Sequence, residues 1–111
     1  MSAITTHVLD VGMGRPAAGV SVRLERLDSG GAEPLAKATT DGEGRVTDLG
    51  PGDVNAGTYR LVLDTGSYFA ATQQSGFFPE VSVTFTLSDP TQHYHVPVLL
   101  SPFAYSTYRG S

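Results

Sequence analysis

The sequence predicts an all-β protein, either an antiparallel sandwich or a small barrel, built from about eight short strands and one short helix. Three observations support this fold class. Apolar and polar residues alternate with a period of two along most of the chain. The 13 glycines and 7 prolines fall almost wholly between the alternating runs, where they indicate turns. One segment only, near residue 70, lacks the alternation.

The first half of the chain contains four of the predicted strands. Val20, Val22 and Leu24 alternate with Ser21 and Arg23. Successive side chains of a strand point to opposite faces, so this run has one buried and one polar face. The four predicted strands cover residues 4–11, 20–25, 34–40 and 45–49. The predicted turns between them cover residues 12–16, 29–31 and 41–42.

The second half contains the most regular run of the sequence. Val81, Val83, Phe85 and Leu87 are each separated by a serine or a threonine. This pattern is typical of a strand with one buried face. The predicted strands of this half cover residues 59–64, 80–88, 93–100 and 104–109, with turns at residues 50–52 and 89–90.

The segment that lacks alternation, residues 67–74 (SYFAATQQ), is predicted to form a short helix between two strands. Thr65 and Ser67 are both candidate N-terminal caps, because a hydroxyl can accept a hydrogen bond from the first helical N–H groups. Gly76 is the predicted end of the helix.

Composition limits the classes of function. The 111 residues correspond to one domain, predicted to cover residues 1–111. The chain contains no cysteine, which excludes disulfides and thiol catalysis. Its net charge is −4 and its seven cationic residues are scattered, whereas nucleic acids and anionic membranes require a basic patch. No apolar run is long enough to span a membrane, and no leader pattern is visible, so we expect a cytoplasmic protein.

The charged fraction is also low. Only 16% of the residues are charged, against about 25% in a typical soluble domain. With few charges to cover its surface, the chain is expected to bury part of that surface against other subunits.

Three histidines are the candidate chemical groups. His93 and His95 are two residues apart on a predicted strand, so their side chains point to the same face, and His7 lies on the first strand. These histidines are compatible with exposed surface positions, or with a site in which neutral imidazole orients or deprotonates water. A zinc site is a third alternative, but no carboxylate closer than Asp89 adjoins the pair, and no metal is predicted.

The end of the chain is unusual for a terminus. Chain ends are commonly frayed and rich in small polar residues. Here Tyr105, Tyr108 and Arg109 are among the last seven residues. The segment is therefore predicted to dock as a strand.

Several ordered motifs resemble those of the transthyretin-like family, and in particular its 5-hydroxyisourate hydrolase branch. The resemblance runs from about residue 4 to residue 111. Its motifs are residues 6–10 (THVLD), 14–17 (GRPA), 40–45 (TDGEGR), 77–80 (FFPE), 93–97 (HYHVP), 99–102 (LLSP) and 108–111 (YRGS). The last of these separates the hydrolases from the hormone-carrying transthyretins.

This resemblance implies a transthyretin-like sandwich of two four-stranded sheets, with the short helix after the fifth strand. It implies a homotetramer, a dimer of dimers, with active sites in the channel between the dimers. The implied reaction is hydrolysis of 5-hydroxyisourate to 2-oxo-4-hydroxy-4-carboxy-5-ureidoimidazoline, a step in the degradation of urate to allantoin. It requires no cofactor.

The resemblance also implies the roles of individual residues. The catalytic residues would be His7, Arg45 and His95. The substrate would be bound by the last four residues, namely Tyr108, Arg109, Gly110 and Ser111. A second hypothesis is a non-catalytic carrier that binds a small ligand in the same channel, and a third is a structural sandwich module. Fold alone does not define function. Because the resemblance assigns the histidines and the YRGS ending to the hydrolase branch, these residues favour the hydrolase over the other two hypotheses.

Overall fold

The computed structural model describes residues 3–50, 52 and 54–111, and places them in two sheets and one helix. Pro51 and Asp53, in and beside the turn predicted at residues 50–52, lie outside the described residues. Among the described residues, no helix is both long enough and apolar enough to cross a membrane. The elements are β1 (Ile4–Asp10), β2 (Arg15–Pro16), β3 (Ser21–Asp28), β4 (Gly31–Thr39), β5 (Arg45–Val46), β6 (Gly57–Leu63), α1 (Thr65–Ala71), β7 (Val81–Leu87), β8 (Tyr94–Ser101) and β9 (Ala104–Thr107).

The two sheets form a sandwich around one apolar core. The first sheet has the order β2-β1-β8-β9, with β5 also paired to β1, and the second has the order β4-β3-β6-β7. Val8 and Val98 from the first sheet belong to the same buried cluster as Leu24, Leu61 and Val81 from the second. The two-sheet, all-β fold class with one helix is therefore confirmed.

The expectation of a purely antiparallel fold is wrong at the centre of the first sheet. Strands β1 and β8 are parallel, in a register that runs from Ile4 opposite Tyr94 to Asp10 opposite Leu100. Parallel neighbours require a long crossover connection, and here the chain builds the entire second sheet between them. The pairing places Thr5 opposite His95, which matters for the site.

The first sheet also has more strands than the resemblance implied. Residues 12–16 were predicted to be a turn only, but Arg15 and Pro16 pair with the end of β1 as β2. The run predicted at residues 45–49 shortens to Arg45–Val46, which pairs with Thr6 and His7 of β1. Two-residue ladders are too short for side-chain alternation to reveal them.

The helix begins earlier than predicted, and its cap is a different residue. Asp64 caps α1, because its carboxylate accepts hydrogen bonds from the Ser67 N–H at 3.1 Å and the Ser67 hydroxyl at 2.8 Å. Thr65 is buried instead, and its hydroxyl donates to the Phe78 carbonyl at 2.6 Å. The predicted end at Gly76 is also wrong, since α1 ends at Ala71.

A buried carboxylate ties α1 to the first sheet. Asp10, the last residue of β1, is fully buried and accepts hydrogen bonds from the Tyr68 hydroxyl at 2.7 Å, Gln74 Nε2 at 3.1 Å and the Met13 N–H at 2.9 Å. Burial acts to raise the pKa of Asp10, but these bonds and the nearby Arg15 outweigh it, so the pKa is lowered. Burial and Asp10 raise the pKa of Tyr68 to about 12.

Asp10→Asn is expected to lower the free energy of unfolding by about 1–3 kcal/mol, because an amide N–H₂ would face donors in a buried site. Asp10 contributes its stability above its unfolded pKa of about 3.9, and that contribution is lost as the pH falls through its lowered folded pKa. Urea unfolding at pH 7 and at low pH measures both effects. Asp28→Asn, at an exposed position, is the control, and equal effects of the two variants would contradict the prediction.

Candidate active site

The predicted catalytic residues come together on the outer face of the first sheet. In β1, Ile4 and Val8 point into the core, so Thr5 and His7 point outward. In β8, Tyr94 and Val96 belong to the core, which leaves His95 on the outer face. Because β5 pairs with β1 with Arg45 opposite His7, Arg45 adjoins the same face.

The imidazole of His7 is held by the turn that precedes β5. His7 Nε2 lies 2.8 Å from the carbonyl oxygen of Glu43. A carbonyl oxygen only accepts hydrogen bonds, so Nε2 carries the proton and donates. In neutral His7 the lone pair is therefore on Nδ1, which is available to other partners.

The same turn fixes the backbone of Arg45. The Asp41 carboxylate accepts hydrogen bonds from the N–H groups of Glu43 and Arg45, both at 2.9 Å. Gly44 has a φ of +78°, and a Cβ there would collide with the carbonyl oxygen of Val8, so this position requires glycine. Arg45 is exposed. Its guanidinium makes no hydrogen bond or ion pair with any residue that the structure describes, and it is free to bind a ligand.

His95 is half-buried, and its pKa is lowered. Its Nδ1 lies 2.9 Å from the Thr5 hydroxyl, and His93 Nε2 lies 3.0 Å from the same oxygen. Burial lowers the pKa of His95 below its ordinary value of 6.5, and electrostatic interactions with His7, His93 and Arg45 lower it further, while a hydrogen bond to the Thr5 backbone acts to raise it. His95 is therefore neutral at pH 7, which is the state required of a base.

The end of the chain docks against β8, as predicted. Strand β9 pairs Thr107 with Val98, and an isolated bridge continues the same register to Gly110 opposite His95. The Gly110 N–H donates to the His95 carbonyl at 2.8 Å. A Cβ on Gly110 would lie 2.6 Å from Cδ2 of the His95 ring. Gly110 therefore leaves the space that the imidazole occupies.

The four tail residues do not all reach the histidines. Tyr108 is 57% exposed and Ser111 is exposed, so both are accessible to a ligand. Arg109 is directed elsewhere, because its guanidinium carbon lies 4.4 Å from the ring centroid of Tyr94, a core residue. It also donates to Gln92 Oε1 at 3.0 Å. These contacts anchor the tail, and substrate binding by Arg109 stays a prediction.

Thr5 is a site residue that the sequence argument missed. The alternation along β1 places it on the same face as His7, which was a usable signal. Its partner could not be identified, because the parallel register with β8 was not predicted. Next to Thr5 and His93 the surface forms an open cavity of about 500 Å³, also lined by Thr47 and Asp48.

The arrangement combines proton acceptors with an exposed cation whose backbone is fixed. A neutral imidazole can take a proton from water, and a guanidinium can bind a developing negative oxygen through several donors. Within the described residues, no group of three or more histidine, aspartate or glutamate side chains is arranged to hold a metal ion. The two imidazoles and the guanidinium on one face suit hydrolysis by an activated water molecule.

The chain belongs to the HIUase/Transthyretin family, whose profile matches residues 4–110. The resemblance carried by the sequence motifs is thereby confirmed.

Individual relatives are similar over nearly the whole chain. A 5-hydroxyisourate hydrolase of Caulobacter vibrioides is 44% identical over 115 residues, covering 100% of both chains. The structure of Klebsiella pneumoniae 5-hydroxyisourate hydrolase matches with a TM-score of 0.86 and 38% identity, covering 97% of this chain and 98% of that one. Transthyretin from Sparus aurata matches with a TM-score of 0.92 and 27% identity, covering 99% and 97%.

Proposed function

We propose that this protein hydrolyses 5-hydroxyisourate to 2-oxo-4-hydroxy-4-carboxy-5-ureidoimidazoline, a step in the degradation of urate to allantoin. The observation that carries the proposal is the cluster of His7, His95 and Arg45 on one sheet face. The names of the relatives support the substrate, since the hydrolases from Caulobacter vibrioides and Klebsiella pneumoniae are 44% and 38% identical to this chain.

The proposed reaction begins with His95 as the base. Neutral His95 accepts a proton from a water molecule, whose oxygen then bonds to a carbonyl carbon of the substrate ring. The lowered pKa of His95 keeps it neutral and ready for this step at pH 7. His7, held through Nε2 by the Glu43 carbonyl, orients the water molecule or the substrate with its free Nδ1.

Arg45 and the tail complete the proposed site. When water adds to the carbonyl carbon, negative charge develops on the carbonyl oxygen, and the Arg45 guanidinium is placed to stabilise it. The ring C–N bond then breaks, and its nitrogen takes a proton from the imidazolium formed in the first step. Tyr108 and Ser111 bind the remaining polar edge of the substrate, and Gly110 gives His95 its space.

The second hypothesis, a non-catalytic carrier, has weaker support. The transthyretin of Sparus aurata has a similar fold but is only 27% identical to this chain. Three histidines and an exposed arginine on one face suit an enzyme better than a carrier, since ligand-binding cavities of carriers are predominantly apolar. A carrier would bind 5-hydroxyisourate or a related compound and leave it intact.

The proposed activity is tested by adding purified protein to freshly generated 5-hydroxyisourate and following its ultraviolet absorbance. The expected result is decay well above the spontaneous rate, with the ring-opened acid identified by ¹³C NMR. Treatment with a chelator should leave the rate unchanged. Binding without accelerated decay would support the carrier instead.

We further propose that the single domain of residues 1–111 assembles as a homotetramer, a dimer of dimers. The site lies on an open sheet face, and facing subunits would shield the reacting groups from bulk water. Several apolar side chains are well exposed in the isolated chain, among them Val11, Phe77 and Phe103 at 54%, 69% and 72%.

We also propose a cytoplasmic location for the protein, which cell fractionation tests.

Sedimentation equilibrium at micromolar concentration should give four times 11.7 kDa, since interfaces of obligate assemblies typically bury more than about 2,000 Å² and persist on dilution. A monomer at this concentration would contradict the assembly. Activity of such a monomer would show that the site is complete within one chain.

A further inference from the structure

One threonine hydroxyl joins two of the three histidines. Thr5 is only 7% exposed, and its Oγ1 lies 2.9 Å from His95 Nδ1 and 3.0 Å from His93 Nε2. The bridge follows from the fold, because the parallel pairing of β1 with β8 puts Thr5 directly opposite His95. His93 reaches the same oxygen from the position two residues earlier.

A hydroxyl has one proton to donate and two lone pairs with which to accept. Among the described residues, the buried Thr5 hydroxyl bonds only to these two imidazoles, so it donates its proton to one of them and accepts from the other. In one arrangement Thr5 donates to His95 Nδ1 and accepts from His93 Nε2–H. The proton of neutral His95 is then on Nε2, and that nitrogen cannot act as a base. In the other arrangement His95 Nδ1–H donates to Thr5, and Thr5 donates to His93 Nε2. The lone pair of His95 is then on Nε2.

We propose that Thr5 and His93 are positioning residues that hold His95 in its Nδ1–H tautomer, so that Nε2 is the base in the reaction. This inference rests on the proposed function, because only the second arrangement leaves Nε2 able to take a proton from water. In that arrangement the bridge survives proton uptake unchanged, since Nδ1 donates to Thr5 in both the neutral and the charged imidazole. No group has to reorient during the step.

The bridge also opposes the groups that disfavour the charged form of His95. His7 on β1, Arg45 on β5 and His93 beside β8 all act to lower the pKa of His95. An oxygen that accepts from Nδ1–H bonds more strongly to the imidazolium than to the neutral ring. A hydrogen bond to the Thr5 backbone already acts to raise the pKa of His95. The Thr5 hydroxyl adds a second acceptor for the charged ring, which helps to keep His95 basic enough to remove the proton.

The first test is spectroscopic and does not depend on activity. A long-range ¹H–¹⁵N correlation spectrum of the wild-type protein at pH 8 distinguishes the two neutral tautomers of each histidine. We expect His95 to carry its proton on Nδ1 and His93 also to carry its proton on Nδ1, with Nε2 accepting from Thr5. A proton on His95 Nε2 would overturn the inference.

The second test removes the bridging hydroxyl. Thr5→Val keeps the shape of the side chain, and we expect kcat to fall about tenfold with KM unchanged, because the tautomer is no longer fixed. The pKa of His95, followed by NMR, should fall further. Thr5→Ser restores a hydroxyl and should recover most of both values.

A matched control is available on the same strand. The buried Thr6 hydroxyl donates to the Val96 carbonyl at 2.6 Å, and it makes no hydrogen bond to a histidine among the described residues. Thr6→Val should lower the stability but leave kcat and the pKa of His95 unchanged. Equal kcat and equal pKa values for Thr5→Val and the wild type would overturn the inference while leaving the proposed function intact. If the wild type fails to hydrolyse 5-hydroxyisourate, the proposed function fails, and the tautomer experiment still decides the hydrogen-bond arrangement.

Discussion

Replacing His95 with alanine is expected to lower kcat by about 10²-fold or more, the usual contribution of a general base. The side chain is only half-buried, so the loss of activity should not come from unfolding. His7→Ala should have an effect of similar size, because His7 lies on the same face and only its Nε2 is bonded to Glu43, which leaves Nδ1 for the substrate or water. Initial rates of 5-hydroxyisourate decay measure both effects.

The control for these variants is a check that they fold and assemble like the wild type. Circular dichroism spectra and sedimentation behaviour should match those of the wild type, since neither imidazole belongs to the apolar core. Arg45→Lys should also lower the rate, because an ammonium does not reproduce the planar set of donors of a guanidinium. Near wild-type rates in both histidine variants would show that this sheet face is not the active site.

The rate should depend on pH with a defined sign. His95 acts in its neutral form, and its pKa is lowered below the ordinary value of 6.5, first by burial and then by nearby positive charge. Activity should therefore be retained as the pH falls to 6.5 and should be lost only below that value. A decline in rate centred above pH 6.5 would show that a group other than His95 controls the pH dependence.

Replacing Gly110 with alanine is expected to reduce kcat by about tenfold or more, because misplacing a catalytic group by a fraction of an ångström is costly. The new Cβ would lie 2.6 Å from Cδ2 of His95 and 3.2 Å from Cγ of Pro97. Either the imidazole or the tail has to move. Steady-state kinetics and a histidine NMR spectrum of the same sample report whether the ring has shifted.

Gly42→Ala is the matched control for this substitution. No heavy atom lies within 4 Å of a Cβ built on Gly42, so the same chemical change should leave kcat and stability unchanged. An active Gly110→Ala variant with an undisturbed His95 signal would contradict the proposed packing of the tail against the base.

Deleting residues 108–111 extends the test to the entire tail. The core is formed by other segments and β9 ends at Thr107, so the shortened chain should fold and assemble. Activity should nevertheless be lost, because the substrate contacts proposed for Tyr108 and Ser111 are removed. A fully active shortened chain would mean that the tail has no catalytic role.

The parts of the fold that could be predicted were those with long side-chain alternation. Strand β7 follows the pattern of Val81, Val83, Phe85 and Leu87 with an error of one residue at each end. The helix was harder to place, because Asp64, Thr65 and Ser67 all have side chains that can cap. The structure selects Asp64 because Thr65 is buried and bonded to Phe78. The Thr65–Phe78 hydrogen bond joins residues that are 13 positions apart, so no local sequence pattern predicts it.

The residues of the candidate site could be predicted from the sequence, but the hydrogen bonds between them could not. The resemblance identified His7, Arg45 and His95, and the structure brings all three to one face. Arg109 was predicted to bind the substrate together with the rest of the tail. Its guanidinium lies over Tyr94, because neighbouring residues of an extended segment point to opposite sides. Thr5 was missed because its role depends on the parallel register of β1 and β8, which alternation within a single strand does not reveal.

The most direct test of His95 as the base in this hydrolysis compares the wild type with His95→Ala in one assay of freshly generated 5-hydroxyisourate. Both proteins are used at equal concentration, and the spontaneous decay is measured in parallel. We expect rapid decay with the wild type and a rate lower by about 10²-fold or more with the variant. Decay at the spontaneous rate with the wild type, or at equal rates with the two proteins, would contradict this expectation.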